Sequence, residues 1–254
     1  MPAAWTEKLP QGLRDYHKIS RSCFFGLLMV LLLLIIYETS SAAIYNEQTV
    51  IIQNRAEAMI KRTLWFMGLY QFWMPWIAFG ILLGLAFWQA RKQNLLQIKP
   101  PYFPFAILES LAYAVLFSWL MNLVTTKSIT IKFLWSLLGD KAVALPAKMA
   151  LALGAGIYEE LLFRLGIFSF TLWFTRKVLP AKPYVHQVLA LVVSAALFSG
   201  FHFLGKEPFS TLAFVHRFYA GLLLGAIFSW RGIGVVVYTH AFYDLFLILR
   251  SHGG

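Results

Sequence analysis

The chain holds one cysteine, Cys23, in 254 residues. A single thiol excludes an internal disulfide framework and any thiolate metal cluster. Cys23 heads an apolar run, where simple packing is the plain reading and lipidation the other. Charge is also scarce: 13% of residues are charged, against roughly 25% in soluble domains. Acids are the scarcer sign, 11 Asp and Glu against 22 Lys and Arg, for a net charge of +11. Internal repeats, low-complexity tracts and soluble inserts of domain size are absent. These absences exclude an ordinary soluble domain. What is abundant is apolar, with 59% hydrophobic and 17% aromatic residues. The composition reads as an all-α, polytopic membrane helix bundle, a single integral-membrane domain over 1–254. The basic excess is spread over short connections, which suits contact with an anionic lipid bilayer; no nucleic-acid motif accompanies it, so nucleic acid is not expected as a partner.

About seven apolar runs (six to eight) approach the roughly 20 residues that a crossing helix needs. They cover 23–37, 64–88, 103–124, 146–174, 185–204, 210–230 and 233–250. Pro75 is expected to kink the second, because proline removes a backbone hydrogen bond. Residues 45–63 read as a polar connection. Between 125 and 148 the apolar residues are interrupted by Lys127, Lys132, Asp140 and Lys141, the pattern of an interfacial amphipathic helix. Taken instead as an eighth crossing, that segment would invert every later span. Residues 1–145 thus hold the N-terminal spans and the interfacial segment, and 146–250 the helices with the most informative polar residues.

Lys8, Arg14, Lys18 and Arg21 precede the first apolar run, as in a signal sequence, and Thr39-Ser40-Ser41-Ala42 could pass for a cleavage region. The long leader and the spans that follow favour an uncleaved anchor with its N-terminus in the cytoplasm. Counting Arg91, Lys92, Lys99, Arg176, Lys177, Lys182 and Arg231 with the leader, the inner side holds a narrow excess of Lys and Arg. The expected location is multi-pass in the plasma membrane of a prokaryote.

The stretch that stands out is Gly154-Ala155-Gly156-Ile157-Tyr158-Glu159-Glu160-Leu161-Leu162-Phe163-Arg164. An ionised group in hydrocarbon costs at least about 2.5 kcal/mol, so an intramembrane carboxylate pair is a functional hypothesis by default. On a helix Gly156, Glu159, Glu160, Phe163 and Arg164 share one stripe. Glu160 and Arg164 are i,i+4 neighbours of opposite charge, whereas Glu159 has no such neighbour. Two later spans carry Phe198-Ser199-Gly200-Phe201-His202 and His240-Ala241-Phe242-Tyr243-Asp244, each pairing its end residues one turn apart.

Each residue also has a plain structural reading. Glu160 with Arg164 could be a buried ion pair, His202 an interhelical hydrogen bond, His240 with Asp244 a local pair, and Phe198 packing. Those readings leave the conjunction unexplained: a spare glutamate and two histidines on three helices of one small bundle. Peptide hydrolysis needs a base for water and donors for the oxyanion, and Glu159 with the two histidines could supply both. Ser194 and Ser199 lie outside any G-x-S-x-G context. A zinc ion held by His202, His240 and Glu159 is a minority alternative, since the His-Glu-x-x-His arrangement is missing. A proton relay in a small transporter, and a non-catalytic scaffold or immunity-type protein, are the readings from other classes.

In order and spacing, Glu159-Glu160-x-x-x-Arg164, Phe198-x-x-x-His202 and His240-x-x-x-Asp244 resemble the three motifs of the CPBP family, intramembrane glutamic endopeptidases related to type II CAAX prenyl proteases. Phe218 to Gly225, leading into Arg231-Gly232, looks like the glycine-bearing helix before that family's last motif. The resemblance covers roughly residues 146–247. It implies a helical bundle around a membrane-embedded cavity, no cofactor, and a peptide or protein substrate at the membrane. It further implies that Glu159 activates water together with His202, that Glu160 and Arg164 support the site, and that His240 with residue 244 stabilises the oxyanion. The family often has asparagine where Asp244 stands. An ionised Asp244 would repel an oxyanion, so it either carries a proton or orients His240.

Overall fold

The computed structural model describes residues 10–44, 55–66, 74–124, 144–204 and 208–252, and every regular element among these is helical. In chain order they are α1 (Gln11–Ser20), α2 (Cys23–Ile44), α3 (Arg55–Phe66), α4 (Met74–Lys92), α5 (Tyr102–Val124) and α6 (Leu145–Glu160). A π-helical segment (Leu161–Phe168) follows without a break, then α7 (Ser169–Val178), α8 (Pro183–Phe201), α9 (Thr211–Arg231) and α10 (Ile233–His252). Helix is the form that satisfies all backbone polar groups within one segment, which hydrocarbon demands. Five of these helices, α2, α5, α8, α9 and α10, are long and apolar enough to cross a membrane.

Two more of the expected spans are present in altered form. Of the run expected over 64–88, residues 64–66 end α3, 67–73 lie outside the described residues and α4 begins at Met74; Pro75 falls in the first turn of α4, where a missing N–H breaks no helical bond, and does not kink that helix. The run expected over 146–174 is one helical rod, 145–178, with π turns in its middle. The stretch expected as a polar connection contains α3, anchored by Glu57, which is 2% exposed, accepts a hydrogen bond from the Tyr37 hydroxyl at 2.5 Å and pairs with Lys61. Of the amphipathic helix expected over 125–148, residues 125–143 lie outside the described ones and 145–148 belong to α6.

Side-chain pairings fix the direction of each helix. Phe25 of α2 meets Phe103 of α5 (4.9 Å between centroids), Phe24 meets Phe87 near the end of α4 (5.4 Å), and the beginning of α2 crosses that of α10 backbone to backbone at Gly26 and Gly234. A Cβ on Gly234 would stand 2.9 Å from Gly26 Cα, so this crossing needs both glycines. The starts of α2, α5 and α10 and the end of α4 therefore lie together, beside α1. Arg231, ending α9, reaches the same place through Glu109 of α5. Arg164 bonds Gly221, and four residues on Phe168 packs against Phe228 (5.3 Å). The 145–178 rod therefore runs parallel to α9, toward the α1 end. Consequently α6 starts at the end where α5 stops.

α10 is the central helix. Of its membrane-length window 72% is buried, against 22% to 44% for the other four spans, and it packs against α2, α5, α6 and α9.

Candidate active site

The α6 face that bears the two carboxylates can approach α10 because Gly156 carries no side chain. A Cβ there would lie 2.9 Å from Val237 O, Ala241 N and Ala241 Cβ. Glu159 and Glu160 follow one turn later, at 6% and 0% exposure, and meet His240, itself buried. Glu160 Oε1 accepts from His240 Nδ1 at 2.7 Å, while Glu160 Oε2 lies 3.0 Å from Arg164 Nε. His240 turns its other nitrogen to the remaining acids: Nε2 is 3.6 Å from Asp244 Oδ2 and 4.0 Å from Glu159 Oε2. The imidazole thus hydrogen-bonds Glu160, and both Asp244 and Glu159 stand beside its other nitrogen beyond direct hydrogen-bond distance.

Arg164 lies inside the π segment. Backbone torsions at the edges of that segment are ordinary helical ones (Glu160 φ −70°, ψ −37°; Ser169 φ −66°, ψ −38°), so the wider turns are inserted without a break. The Ser169 hydroxyl donates to the Arg164 carbonyl five residues back, at 3.1 Å. Fully buried, the guanidinium reaches Glu160, donates from Nη2 to Gly221 O at 3.3 Å, and stacks on the Phe198 ring at 4.6 Å. π turns inside α-helices occur frequently at functional sites.

His202 caps the C-terminus of α8 and is half-buried. Its Nδ1 lies 2.9 Å from Phe198 O. A carbonyl only accepts, so Nδ1 carries the hydrogen and Nε2 is the basic nitrogen of the neutral ring. Phe198 stands between the two imidazoles, 5.1 Å from the His202 ring and 6.1 Å from that of His240. It is packing, as its residue type suggests, and also the surface on which Arg164 rests.

The two serines of α8 are ties. Ser194 donates to Phe163 O at 2.8 Å and Ser199 to Phe214 O at 2.6 Å, fastening α8 to the π segment and to α9. For a metal, His240 offers only Nε2, since Nδ1 is engaged by Glu160. Among the described residues no three His, Cys, Asp or Glu side chains are gathered as a metal site. Sequence reasoning passed over Glu109 and Tyr16, which form a second polar cluster with Arg231. Glu109 gave the same signal as Glu159, an acid within an apolar run.

No curated protein and no solved structure matches the chain significantly. A family model does: that of Rce1-like proteins, type II CAAX prenyl endopeptidases, over residues 141–246. The matched stretch holds Glu159, Glu160, Arg164, His202, His240 and Asp244. Over that stretch, less than half of the chain, the sequence is similar to the Rce1-like, CAAX-protease-like family.

Proposed function

We propose that the protein is an intramembrane peptidase that hydrolyses a peptide bond of a membrane-associated protein by glutamate-activated water. The observation that carries this reading is the His240 ring set between Glu160, at 2.7 Å, and Glu159, at 4.0 Å, in the interior of a membrane bundle. The family supports the coarser part, a membrane protease.

In the proposed reaction Glu159 takes a proton from water as the oxygen attacks the scissile carbonyl carbon. His202 Nε2, basic because Nδ1–H is given to Phe198 O, shares that water. The carbonyl oxygen becomes the oxyanion of the tetrahedral intermediate. For His240 to donate to it from Nε2 while Nδ1–H remains on Glu160, the ring must be doubly protonated. The carboxyl oxygens of Glu160, Asp244 and Glu159 stand around it as countercharge. Arg164 offsets the Glu160 charge in turn. As the C–N bond breaks, Glu159 returns its proton to the departing amine. Asp244 acts by orienting and balancing His240 and need not touch the oxyanion.

The test is cleavage of a peptide library by detergent-purified protein, with and without a chelator. Glu159→Gln is expected to lower turnover by about 10²- to 10⁴-fold, the usual weight of a general base, with no effect of the chelator. Chelator-sensitive activity would assign the chemistry to a metal. Proton-coupled flux in liposomes, lost in Glu159→Gln and unaccompanied by cleavage, would replace the reading with transport.

A further inference from the structure

A second, partly buried polar cluster joins three segments at the α1 end. Arg231, 1% exposed, donates from Nε to Glu109 Oε1 at 2.5 Å and from Nη2 to Glu109 Oε2 and Ser20 Oγ, both at 2.8 Å. Tyr16 donates its hydroxyl to Glu109 Oε2 at 2.6 Å, and its ring lies 5.5 Å from the guanidinium carbon. The next residue, Gly232, turns the chain with φ +84°, a conformation that glycine adopts without strain. A Cβ there would be 2.9 Å from Arg21 O, and Arg21 Nη2 reaches back to Ser229 O at 3.3 Å. The α9–α10 turn is thus gripped from both sides, by α1 with its following turn and by α5. Both helices lie outside the family-matched stretch.

This turn leads into α10, which carries His240. Close packing such as Gly26 on Gly234 resists separation of the helices but supplies little against sliding or rotation. Axial position comes from directional bonds. Two are modest, Tyr238 to Met29 O at 3.2 Å and Thr239 to Ser110 O at 3.4 Å. The Arg231 fork on Glu109 is bidentate and charge-assisted, the stronger kind. A misplacement of about 1 Å at a reacting group can cost about a hundredfold in rate, and His240 stands 2.7 Å from Glu160.

We propose that Arg231, forked on Glu109 and completed by Tyr16, is the positioning residue for His240, which makes the N-terminal helix α1 a working part of the site. The proposal rests on the peptidase reading of His240. Arg231→Lys keeps the charge but loses the fork, and Tyr16→Phe removes one bond to Glu109. Each is expected to lower kcat about tenfold or more at unchanged KM, and the exchange Glu109→Arg with Arg231→Glu to recover part of the loss. Folded variants with wild-type kcat would overturn it.

If the wild type cleaves nothing, the peptidase reading fails and the positioning is judged separately. Nitroxide labels at Met149→Cys on α6 and Leu249→Cys on α10, in a Cys23→Ser background, report the helix separation by double electron–electron resonance. A shifted or broadened distribution in Arg231→Lys is expected. An identical one refutes the positioning role whatever the activity.

Discussion

Gly156 works by having nothing to place between α6 and α10. A Cβ there would meet Val237 O and Ala241 N, both backbone atoms that cannot swing aside. Gly156→Ala is therefore expected to destabilise the protein by about 1–3 kcal/mol, the usual cost of overpacking, and to draw the Glu159 carboxylate away from His240. Thermal unfolding in detergent together with peptide cleavage checks both effects; a variant with wild-type melting and turnover would show that the helices are not held by this approach. The ionisable residues of the site were legible because each interrupts an apolar run, where charge needs a reason. Glu109 was as visible as Glu159 and was missed because its partner, Arg231, read as a loop cation. Nothing in sequence spacing brings residues 109, 231 and 16 together; only the crossing of α5 with the α9–α10 turn does so.

Helix α1 lies in the charged leader and is docked on the bundle, and its His17 gives a solution test of the docking. His17 lies outside the spans, and its pKa is lowered from 6.5 to about 4, first by burial and then by the charges of Arg231 and Arg21, with Glu109 opposing. A histidine with a lowered folded value binds its proton more readily in the unfolded chain. Its contribution to stability therefore rises with pH between about 4 and 6.5, and is flat above. Melting temperature should climb over that window in the wild type, and His17→Gln should remove that part of the climb. Equal profiles for the two proteins would mean that α1 is not seated on the bundle. Other elements differ in how much the sequence reveals. Apolar runs announce spans, but α3 hid within a polar stretch because Glu57 turns its charge inward to Tyr37 and Lys61. The π segment was invisible because no breaker marks it and both its edges have helical torsions.

At the scale of the whole molecule, the α1 end carries Arg14, Lys18, Arg91, Lys92, Lys99, Arg176, Lys177 and Lys182. Lys92 lies over Trp88 at 3.6 Å and Lys177 over Trp173 at 4.3 Å, pairings of residue types that collect at headgroup level. Arg231, counted with these cations on sequence, is buried in its ion pair and drops out of the balance. The remaining bias toward cytoplasmic cations predicts that this end faces the cytoplasm. In a Cys23→Ser background on intact bacterial cells, Leu204→Cys at the opposite end should take up an impermeant maleimide, and Lys182→Cys only after permeabilisation. The reverse pattern would invert the orientation.

The central place of α10 also bears on biosynthesis. This helix is translated after the ones that enclose it, so a nascent chain that already displays Glu159, Glu160 and His202 still lacks the imidazole that bonds Glu160 and faces Glu159. The bundle must stay open long enough to admit a further span into its middle. On the peptidase reading, catalytic competence is withheld until that insertion is complete, which spares neighbouring membrane proteins from a half-made enzyme.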